Sequence, residues 1–252
     1  MTSSSALLRI EPEQLQAALI AGITHVQTRR DLLNRINVFP VPDGDTGTNL
    51  MFTLNSVGQR LRGGGREGVA GLLDEIADAA LDGARGNSGA IMAQYFHGMA
   101  ESCRHSAELD ARQLAAASKA GAAAAWSAMS KPVAGTMPTV LEDFGDALVE
   151  GVEQGVRDIR KLFHRARRAA HESLARTPQK LKVLRDAGVV DAGGQGFVDL
   201  LDGIYRYIRS GRVPEPASAS ETDTPARTHG ESPPGEAPAE HRYCTECLVA
   251  GD

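Results

Sequence analysis

The sequence predicts an all-α fold, and three observations carry the prediction. Aromatic residues make up only 4% of the 252 residues, which is low for a β-rich protein. Apolar residues recur at helical spacing from the start of the chain, as Leu15, Leu19 and Ile23 do. Alternating apolar and polar runs of more than four residues are absent from the sequence. Residues 1–212 are therefore predicted to form helices joined by glycine-rich turns, with almost no strands.

Each helix is predicted from its apolar spacing and from the turn residues around it. The first begins beside Glu11-Pro12, because a proline near the first helical position gives up only an N–H that has no partner there. It ends before residues 37–49, where two prolines and two glycines break the pattern. Further helices are predicted at about 49–61, 68–83, 88–105, 108–129, 138–153, 155–175, 180–187 and 195–210.

The composition changes after Arg212. Residues 213–240 hold six of the twelve prolines in the chain, and Val213 is their only large aliphatic residue. Such a segment has too little apolar surface to offset the entropy lost on ordering, so we predict a disordered C-terminal linker. Residues 241–252 contain two cysteines and a short apolar run, and they look like the start of a further domain.

Composition also bears on partners and location. A net charge of −5 argues against non-specific nucleic-acid binding, and three cysteines exclude a disulfide framework. No stretch approaches the ~18 apolar residues of a membrane span. We therefore predict a cytoplasmic protein with no nucleic-acid partner and no integral membrane contact, and a homodimer is compatible with it. Residues 156–185 carry ten Lys and Arg against two acidic residues, which indicates either a solvated helix face or a docking surface for an acidic partner.

The stretch 42–49 (PDGDTGTN) is the most informative for function. Asp43 and Asp45 lie two residues apart in a turn that leads into a helix. A plain turn is one explanation, whereas a calcium loop is excluded because Leu54 stands where its final Glu is needed. Two carboxylates together with substrate phosphates commonly hold magnesium. A carboxylate repels a phosphate oxygen ~4 Å away by about 4 kcal/mol at an effective dielectric of ~20, so phosphate binding beside this pair needs a cation.

Three further glycine clusters precede predicted helices: 85–89 (RGNSG), 135–137 (GTM) and 191–196 (DAGGQG). Helix N termini offer free N–H groups and a partial positive charge, and small residues let an anion approach them. Glycines also serve as ordinary helix caps. Four such starts with Ser, Thr and Asn at matching offsets nevertheless predict that several N termini converge on one anionic ligand. The sequence has no Walker motif and no dinucleotide fingerprint, so amides and a metal would have to neutralise bound phosphates.

Four segments resemble the motif blocks of a known family. They are 37–49 (NVFPVPDGDTGTN), 84–91 (ARGNSGAI), 134–143 (AGTMPTVLED) and 187–197 (AGVVDAGGQGF). In order and spacing they resemble the nucleotide-binding L domain of the dihydroxyacetone kinase family. More narrowly, they resemble the N-terminal kinase domain of bacterial fatty acid kinases. The resemblance covers roughly residues 11–212. It implies an all-α barrel or bundle of about eight antiparallel helices for residues 1–212, with ATP or ADP bound at one end through two magnesium ions.

The resemblance also implies roles for particular residues. Asp43 and Asp45 match magnesium ligands, and Asn37 lies near the place of a third aspartate of the dihydroxyacetone branch, although a water would serve equally. Thr46 stands where that branch has a His, which favours the fatty acid branch. Arg85 is a candidate for stabilising the transferred phosphate, with a capping or surface role as the alternative. The implied nucleotide contacts are Thr46, Thr48, Asn49, Asn87, Ser88 and Gly89 on the phosphate side, and Thr136, Met137, Asp191, Ala192 and Gly193 on the nucleoside side.

The function implied by the resemblance is phosphoryl transfer to a fatty acid. In that branch Mg-ATP passes its γ-phosphate to a fatty acid carboxylate held by a DegV-like lipid-binding protein or domain, and the product is an acyl phosphate. A carboxylate acceptor is already ionised at neutral pH, so the reaction needs no base. Residues 243–246 (YCTE) resemble the opening of the middle domain of that branch, on which activity is expected to depend. Cys247 departs from its pattern, and zinc at His241, Cys244 and Cys247 would lack a fourth ligand.

Two alternatives remain at the level of sequence. One is a non-catalytic module that holds ADP and magnesium permanently, or a subunit of the glycerone (dihydroxyacetone) kinase type. The other is a helical interaction module whose glycines are only caps and whose working surface is the basic stretch 156–185.

Overall fold

Eight long helices form a closed ring in the computed structural model, which describes residues 6–63, 68–106 and 108–213. The helices of this part of the chain are α1 (Pro12–Arg35), α2 (Thr46–Arg62), α3 (Gly68–Asp82), α4 (Gly86–Cys103), α5 (Ala111–Ser127), α6 (Met137–Glu153), α7 (Ile159–Lys180), the short α8 (Lys182–Ala187) and α9 (Ala192–Ser210). Helices α1 to α7 each pack on the next, α9 packs on α7, and α9 closes the ring on α1. The predicted all-α barrel of about eight helices is confirmed.

Neighbouring helices of the ring run antiparallel. At one end, the last turn of α1 bonds to the first turn of α2, and the residues after α5 lie against the start of α6. At the other end, strand β1 (Arg9–Ile10) pairs antiparallel with strand β2 (Leu109–Asp110), and the N–H of Ile159 donates to the carbonyl of Leu7 at 2.8 Å. These contacts bring the starts of α1, α5 and α7 together at one end, so α2, α4, α6 and α9 begin at the opposite end.

Helix bounds differ from the predicted ones by a few residues, and capping side chains explain several of the differences. Helix α9 begins at Ala192 rather than about 195, because the Asp191 carboxylate accepts the N–H of Gly194 at 2.8 Å. Helix α7 begins at Ile159 rather than about 155, because Asp158 accepts the N–H of Arg160 at 3.1 Å. At α9, local propensity had placed Gly193 and Gly194 outside the helix, but the cap by Asp191 draws them in.

Helix α7 also continues past its predicted end at 175, through Pro178 to Lys180. Proline has no N–H and therefore leaves the carbonyl four residues earlier, that of Leu174, without its helical donor. The hydroxyl of Thr177 donates to that carbonyl at 2.8 Å. The bond satisfies the carbonyl, and the helix runs on to the region where α9 begins.

The interior of the ring is apolar. Phe197 of α9 meets Tyr95 of α4 and Phe144 of α6 edge to face, with both pairs of ring centroids 5.5 Å apart. Around these rings lies a cavity of about 270 Å³ with almost entirely apolar walls. This core joins most of the helices into one body.

At least half of the ten basic side chains in the stretch 156–185 form ion pairs with acidic residues. Arg165 lies 2.9 Å from Glu150, and Arg176 lies 3.4 Å from Asp143. These pairs favour the interpretation of a solvated helix face over that of a docking surface.

The predictions for the C-terminal part concern residues that the structure does not describe. Of the linker predicted for 213–240 only Val213 is described, and the segment 241–252 lies wholly outside the described residues. No helix within the described ranges combines the length and apolarity that a membrane crossing requires.

Candidate functional site

A cavity of about 340 Å³ lies at the end of the ring where α2, α4, α6 and α9 begin. Its walls include residues from the first turns of all four helices: Thr46 of α2, Asn87, Ser88, Ala90 and Ile91 of α4, Met137 of α6 with its N-cap Thr136, and Gly193 of α9 with its N-cap Asp191. Helix starts present N–H groups without helical partners, together with a partial positive charge. The predicted convergence of several helix N termini on one cavity is therefore present in the structure.

The loop ahead of α2 places two aspartates beside this cavity. The amide nitrogen of Asn37 donates to Asp43 at 2.6 Å, and the hydroxyl of Thr46 donates to the amide oxygen of Asn37 at 2.8 Å. Asn37 is buried, and Thr46 lines the cavity. A chain of hydrogen bonds thus runs from the cavity wall to Asp43 and holds this carboxylate in place.

Asp45 is the N-cap of α2, and its carboxylate lies close to that of Asp43. Burial raises the pKa of Asp45, and its contact with Asp43 raises the pKa further against a lowering by the side chain of Asn49. Two adjacent carboxylates repel each other when both are ionised. A hard divalent cation that both bind removes this repulsion, and carboxylate oxygens are the protein ligands that magnesium takes. The donor set therefore fits magnesium.

The hydrogen bonds of Asn37 differ from those expected of a metal ligand. Its nitrogen is bonded to Asp43 and its oxygen to Thr46, so both ends of the amide already have protein partners. This arrangement makes Asn37 a residue that positions Asp43. Its predicted role as a metal ligand stays a prediction.

Helix α1 contributes a residue that the sequence analysis missed. The amide oxygen of Asn34 accepts the N–H of Thr48 at 3.0 Å, and its nitrogen donates to the Thr48 hydroxyl at 3.0 Å. This pair holds the end of α1 against the first turn of α2. Gly47, in the first turn of α2, packs closely against α1. A Cβ atom at Gly47 would come within 2.3 Å of the carbonyl oxygen of Arg30 in α1. No motif in the sequence marks Asn34, since a polar residue in a last helical turn is common.

The start of α4 divides its predicted residues between the cavity and a neighbouring helix. Asn87 and Ser88 line the cavity. Gly89 faces α2, because a Cβ atom there would meet the hydroxyl of Thr53 at 2.4 Å. A Cβ atom at Gly86 would likewise come within 2.3 Å of the side chain of Asn49 in α2. The φ of +56° at Gly86 also favours glycine. These contacts let α2 and α4 approach each other at the site.

Arg85 precedes α4 as its N-cap. Its side chain is exposed and donates to the carbonyl of Ala84 at 2.6 Å. It does not lie among the residues that line the cavity. A role for Arg85 in stabilising a transferred phosphate stays a prediction.

Asp191 joins the starts of two helices. Its buried carboxylate accepts the N–H groups of Gly194 in α9 and of Met137 in α6. Burial nevertheless raises the pKa of Asp191 to about 6, because these two bonds offset only part of the loss of hydration. The N–H of Asp191 itself donates to the hydroxyl of Thr177 at the end of α7. The residue thus anchors three helix ends, and its neighbour Ala192 is buried.

The loop between α5 and α6 forms another wall. Met129, Ser130, Lys131 and Val133 line the cavity together with Phe39 and Pro40 from the loop ahead of α2. The sequence analysis assigned no role to this loop. Only the fold shows that Lys131 faces the same cavity as Asn87 and Ser88.

The predicted residues therefore fall into three groups. Those that line the cavity are Thr46, Asn87, Ser88, Thr136, Met137, Asp191 and Gly193. Those that lie in the loop and the first turn of α2 beside it are Asn37, Asp43, Asp45, Thr48 and Asn49. Those outside both groups are Arg85, Gly89 and Ala192.

Fold and site together define a closed barrel of helices with a small-molecule cavity at the starts of alternate helices. The DAK2 domain family matches residues 40–206, so the chain belongs to this family. Curated relatives include an "Uncharacterized protein" of Staphylococcus epidermidis (strain ATCC 12228), 34% identical over 206 residues, with 82% of this chain and 37% of the relative covered. A relative described as uncharacterised in Staphylococcus aureus (strain USA300) is 34% identical over 235 residues, with 92% of this chain and 42% of the relative covered. The chain thus spans about two fifths of the length of these relatives.

Solved structures with the same fold come from a kinase. The dihydroxyacetone kinase of C. freundii in complex with AMP-PNP and Mg²⁺ is 19% identical with a TM-score of 0.59, and the match covers 82% of this chain and 36% of the other. The native form of that kinase gives 19% identity and a TM-score of 0.60 over 82% and 37% of the two chains. At this identity the likeness shows the fold alone.

Proposed function

We propose that this DAK2 domain binds ATP and ADP with magnesium and acts as the kinase domain of a fatty acid kinase. It would transfer the γ-phosphate of ATP to a fatty acid carboxylate held by a DegV-like lipid-binding protein or domain, with an acyl phosphate as product. The observation that carries the proposal is the meeting of four helix starts at one cavity, beside Asp43 and Asp45. The AMP-PNP and Mg²⁺ of the C. freundii dihydroxyacetone kinase, which shares the fold, support the nucleotide and the metal.

Each part of the proposed reaction has residues to serve it. The first turns of α2 and α4 offer N–H groups to phosphate oxygens, and the hydroxyls of Thr46 and Ser88 lie at the same wall. Asp43 and Asp45 would hold magnesium, which when bound neutralises phosphate charge. Asn37 holds Asp43 through its amide nitrogen. Met137 and Met129 supply an apolar surface for the base.

For the transfer itself, the protein has mainly to position the reactants and to neutralise the charge of the phosphates. A carboxylate oxygen of the fatty acid attacks the γ-phosphorus, the bond from that phosphorus to the β–γ bridging oxygen breaks, and ADP leaves. No proton has to be removed, because the carboxylate is already ionised at neutral pH. Thr46 in place of a basic His agrees with such an acceptor. The proposal also includes the acyl acceptor, the DegV-like partner, a cytoplasmic location, a homodimer and two magnesium ions.

Calorimetric titration with ATP and ADP, each with magnesium and with EDTA, tests the nucleotide site. We expect binding with magnesium and little binding with EDTA. Asp45→Asn should weaken magnesium-dependent binding at least 100-fold with unchanged helical circular dichroism, because the carboxylate pair loses half its charge. Asp31→Asn, at an exposed carboxylate of α1, is the matched control and should bind as wild type. Equal binding of the Asp45→Asn variant would refute the assigned site.

A second candidate is the module that holds ADP and magnesium without releasing them, which the same cavity and the same pair of aspartates would serve. The two functions differ in product release, since a kinase has to exchange ADP in every cycle. Exchange of bound fluorescent ADP against excess ATP within seconds would support the kinase. Retention of ADP for hours, with no acyl phosphate formed from ATP and a fatty-acid-loaded carrier, would support the holding module.

A further inference from the structure

We propose that Lys131 is a phosphate-binding residue of the cavity, on a loop that none of the recognised motifs includes. The inference rests on the proposed function, because it concerns the same ligand. It adds a protein cation to a site for which the sequence had offered only amides and metal ions.

The charge of the cavity wall singles out this residue. Lys131 is the one cationic side chain among the sixteen described residues that line the cavity. Asp191 is the one anionic residue of this described lining, and it is buried and engaged in capping two helices. Lys131 is exposed and, in the part of the chain that the structure describes, makes no ion pair or hydrogen bond with a protein group. Its ammonium group is therefore available to a ligand.

The loop that carries Lys131 is held in shape by its own bonds. The hydroxyl of Thr136 donates to the carbonyl of Val133 at 2.7 Å, and the N–H of Gly135 donates to the hydroxyl of Thr139 at 2.9 Å. Pro132 follows Lys131 and restricts its backbone to extended conformations. Because the backbone is already ordered, binding a ligand would cost mainly the entropy of one side chain.

The charge of the expected ligand supplies the reason for a cation here. A nucleoside triphosphate together with Asp43 and Asp45 carries more negative charge than two magnesium ions neutralise. The partial positive charge of a helix start falls off within the first turn and is screened by salt, so it does not replace a full charge placed on a phosphate. A lysine adds a full charge on a long, flexible stem that can follow the phosphates. Lys131 lines the same cavity as Asn87 and Ser88 of the α4 start and Thr136 of the α6 start, so its long side chain is available to a phosphate bound there.

The test is Lys131→Met, with titration of ATP, ADP and adenosine in the presence of magnesium. We expect the affinities for ATP and ADP to fall about tenfold, and Lys131→Arg to restore most of the loss. The thermal transition should be unchanged, because the side chain is exposed. Raising the ionic strength should weaken the wild type more than Lys131→Met, since the contact removed is between charges. Lys161→Met, at an exposed lysine of α7 outside the cavity, is the matched control.

Three results would overturn the inference in distinguishable ways. ATP and ADP affinities of Lys131→Met within twofold of wild type would show that Lys131 contacts no phosphate, while nucleotide binding by the wild type would still support the proposed function. An equal loss for adenosine would place the contact on the nucleoside instead. A wild type that binds no magnesium nucleotide would overturn the proposed function and the Lys131 inference together.

Discussion

Two cavities of similar size occupy the same ring of helices, and their walls differ in polarity. The cavity at the helix starts, about 340 Å³, is lined by hydroxyls, amides, glycine and a lysine as well as apolar side chains. The cavity inside the ring, about 270 Å³, is lined by long aliphatic and aromatic side chains such as Phe197, Leu73 and Ile76. The same helices α4 and α9 contribute to both walls.

The difference follows from position along the helix. In the middle of a helix every backbone N–H is bonded to a carbonyl one turn earlier, so only side chains face the interior. At a helix start the N–H groups are free, and small residues leave them open to a ligand. Stability is therefore expected to depend mainly on the interior, and ligand binding on the helix starts. Four predictions test this division, from the largest expected effect to the smallest.

Phe197→Ala should give the largest loss of stability. The ring is 1% exposed and contacts two other rings, so its removal should lower the free energy of unfolding by about 3–5 kcal/mol. Phe52→Ala, at a ring that is 58% exposed on α2, should change it by less than about 0.5 kcal/mol. Urea unfolding measures both values. Under conditions where Phe197→Ala remains folded, its nucleotide affinity should stay near that of wild type, and a loss as large as that of Asp45→Asn would break the division.

Gly47→Ala should affect stability and binding together. The added Cβ would lie 2.3 Å from the carbonyl of Arg30, so α1 and α2 would have to separate, at a cost of about 3 kcal/mol. Because Asp45 caps the displaced helix, magnesium-dependent nucleotide affinity should also fall at least tenfold. Gly58→Ala in the same helix meets only ordinary contacts of 3.6 Å and more, and should be neutral or stabilising by up to about 1 kcal/mol. Equal stability of the two variants would contradict the close approach at Gly47.

Asp191 should make the helix-start end sensitive to pH. Its pKa of about 6 in the folded protein exceeds the ordinary 3.8, so the folded state retains a proton that the unfolded state loses between these values. The stabilisation is therefore complete below about pH 4 and is lost as pH rises through 6, on the order of 3 kcal/mol in all. Asp191→Asn does not titrate, so the stability of wild type relative to this variant should decrease from pH 4 to pH 7. A difference that is constant with pH would refute the raised pKa.

Removal of residues 213–252 should have the smallest effect. Among the described residues, neither cavity takes a wall residue from beyond Gly211, and the sequence predicts a linker there. The affinity for magnesium nucleotide should therefore remain within twofold of the full chain. Titration of both proteins under identical conditions measures this. A large loss would show that the C-terminal part contributes to the site, against the predicted linker.

Local chemistry explains how much of the fold was predictable. Apolar spacing and turn residues predicted every helix to within a few residues, because both act over one or two turns. The exceptions lie where a side chain from elsewhere takes part. Thr177 lets α7 run through Pro178 by bonding the carbonyl of Leu174, and the cap by Asp191 starts α9 before its glycines. Propensity alone assigns such residues to breaks in the helix.

The sequence by itself determined that the chain forms helices, that glycine-rich turns precede four of them, and that two aspartates lie in one of these turns. Only the tertiary structure decided which of these residues share a cavity. Ser88 lines the cavity, whereas its neighbour Gly89 packs against α2. Lys131 lines the same cavity as Asn87 of α4, which lies more than forty residues earlier in the chain. The physical reason is that a side chain's direction depends on how its helix packs against partners distant in sequence, which no local pattern records.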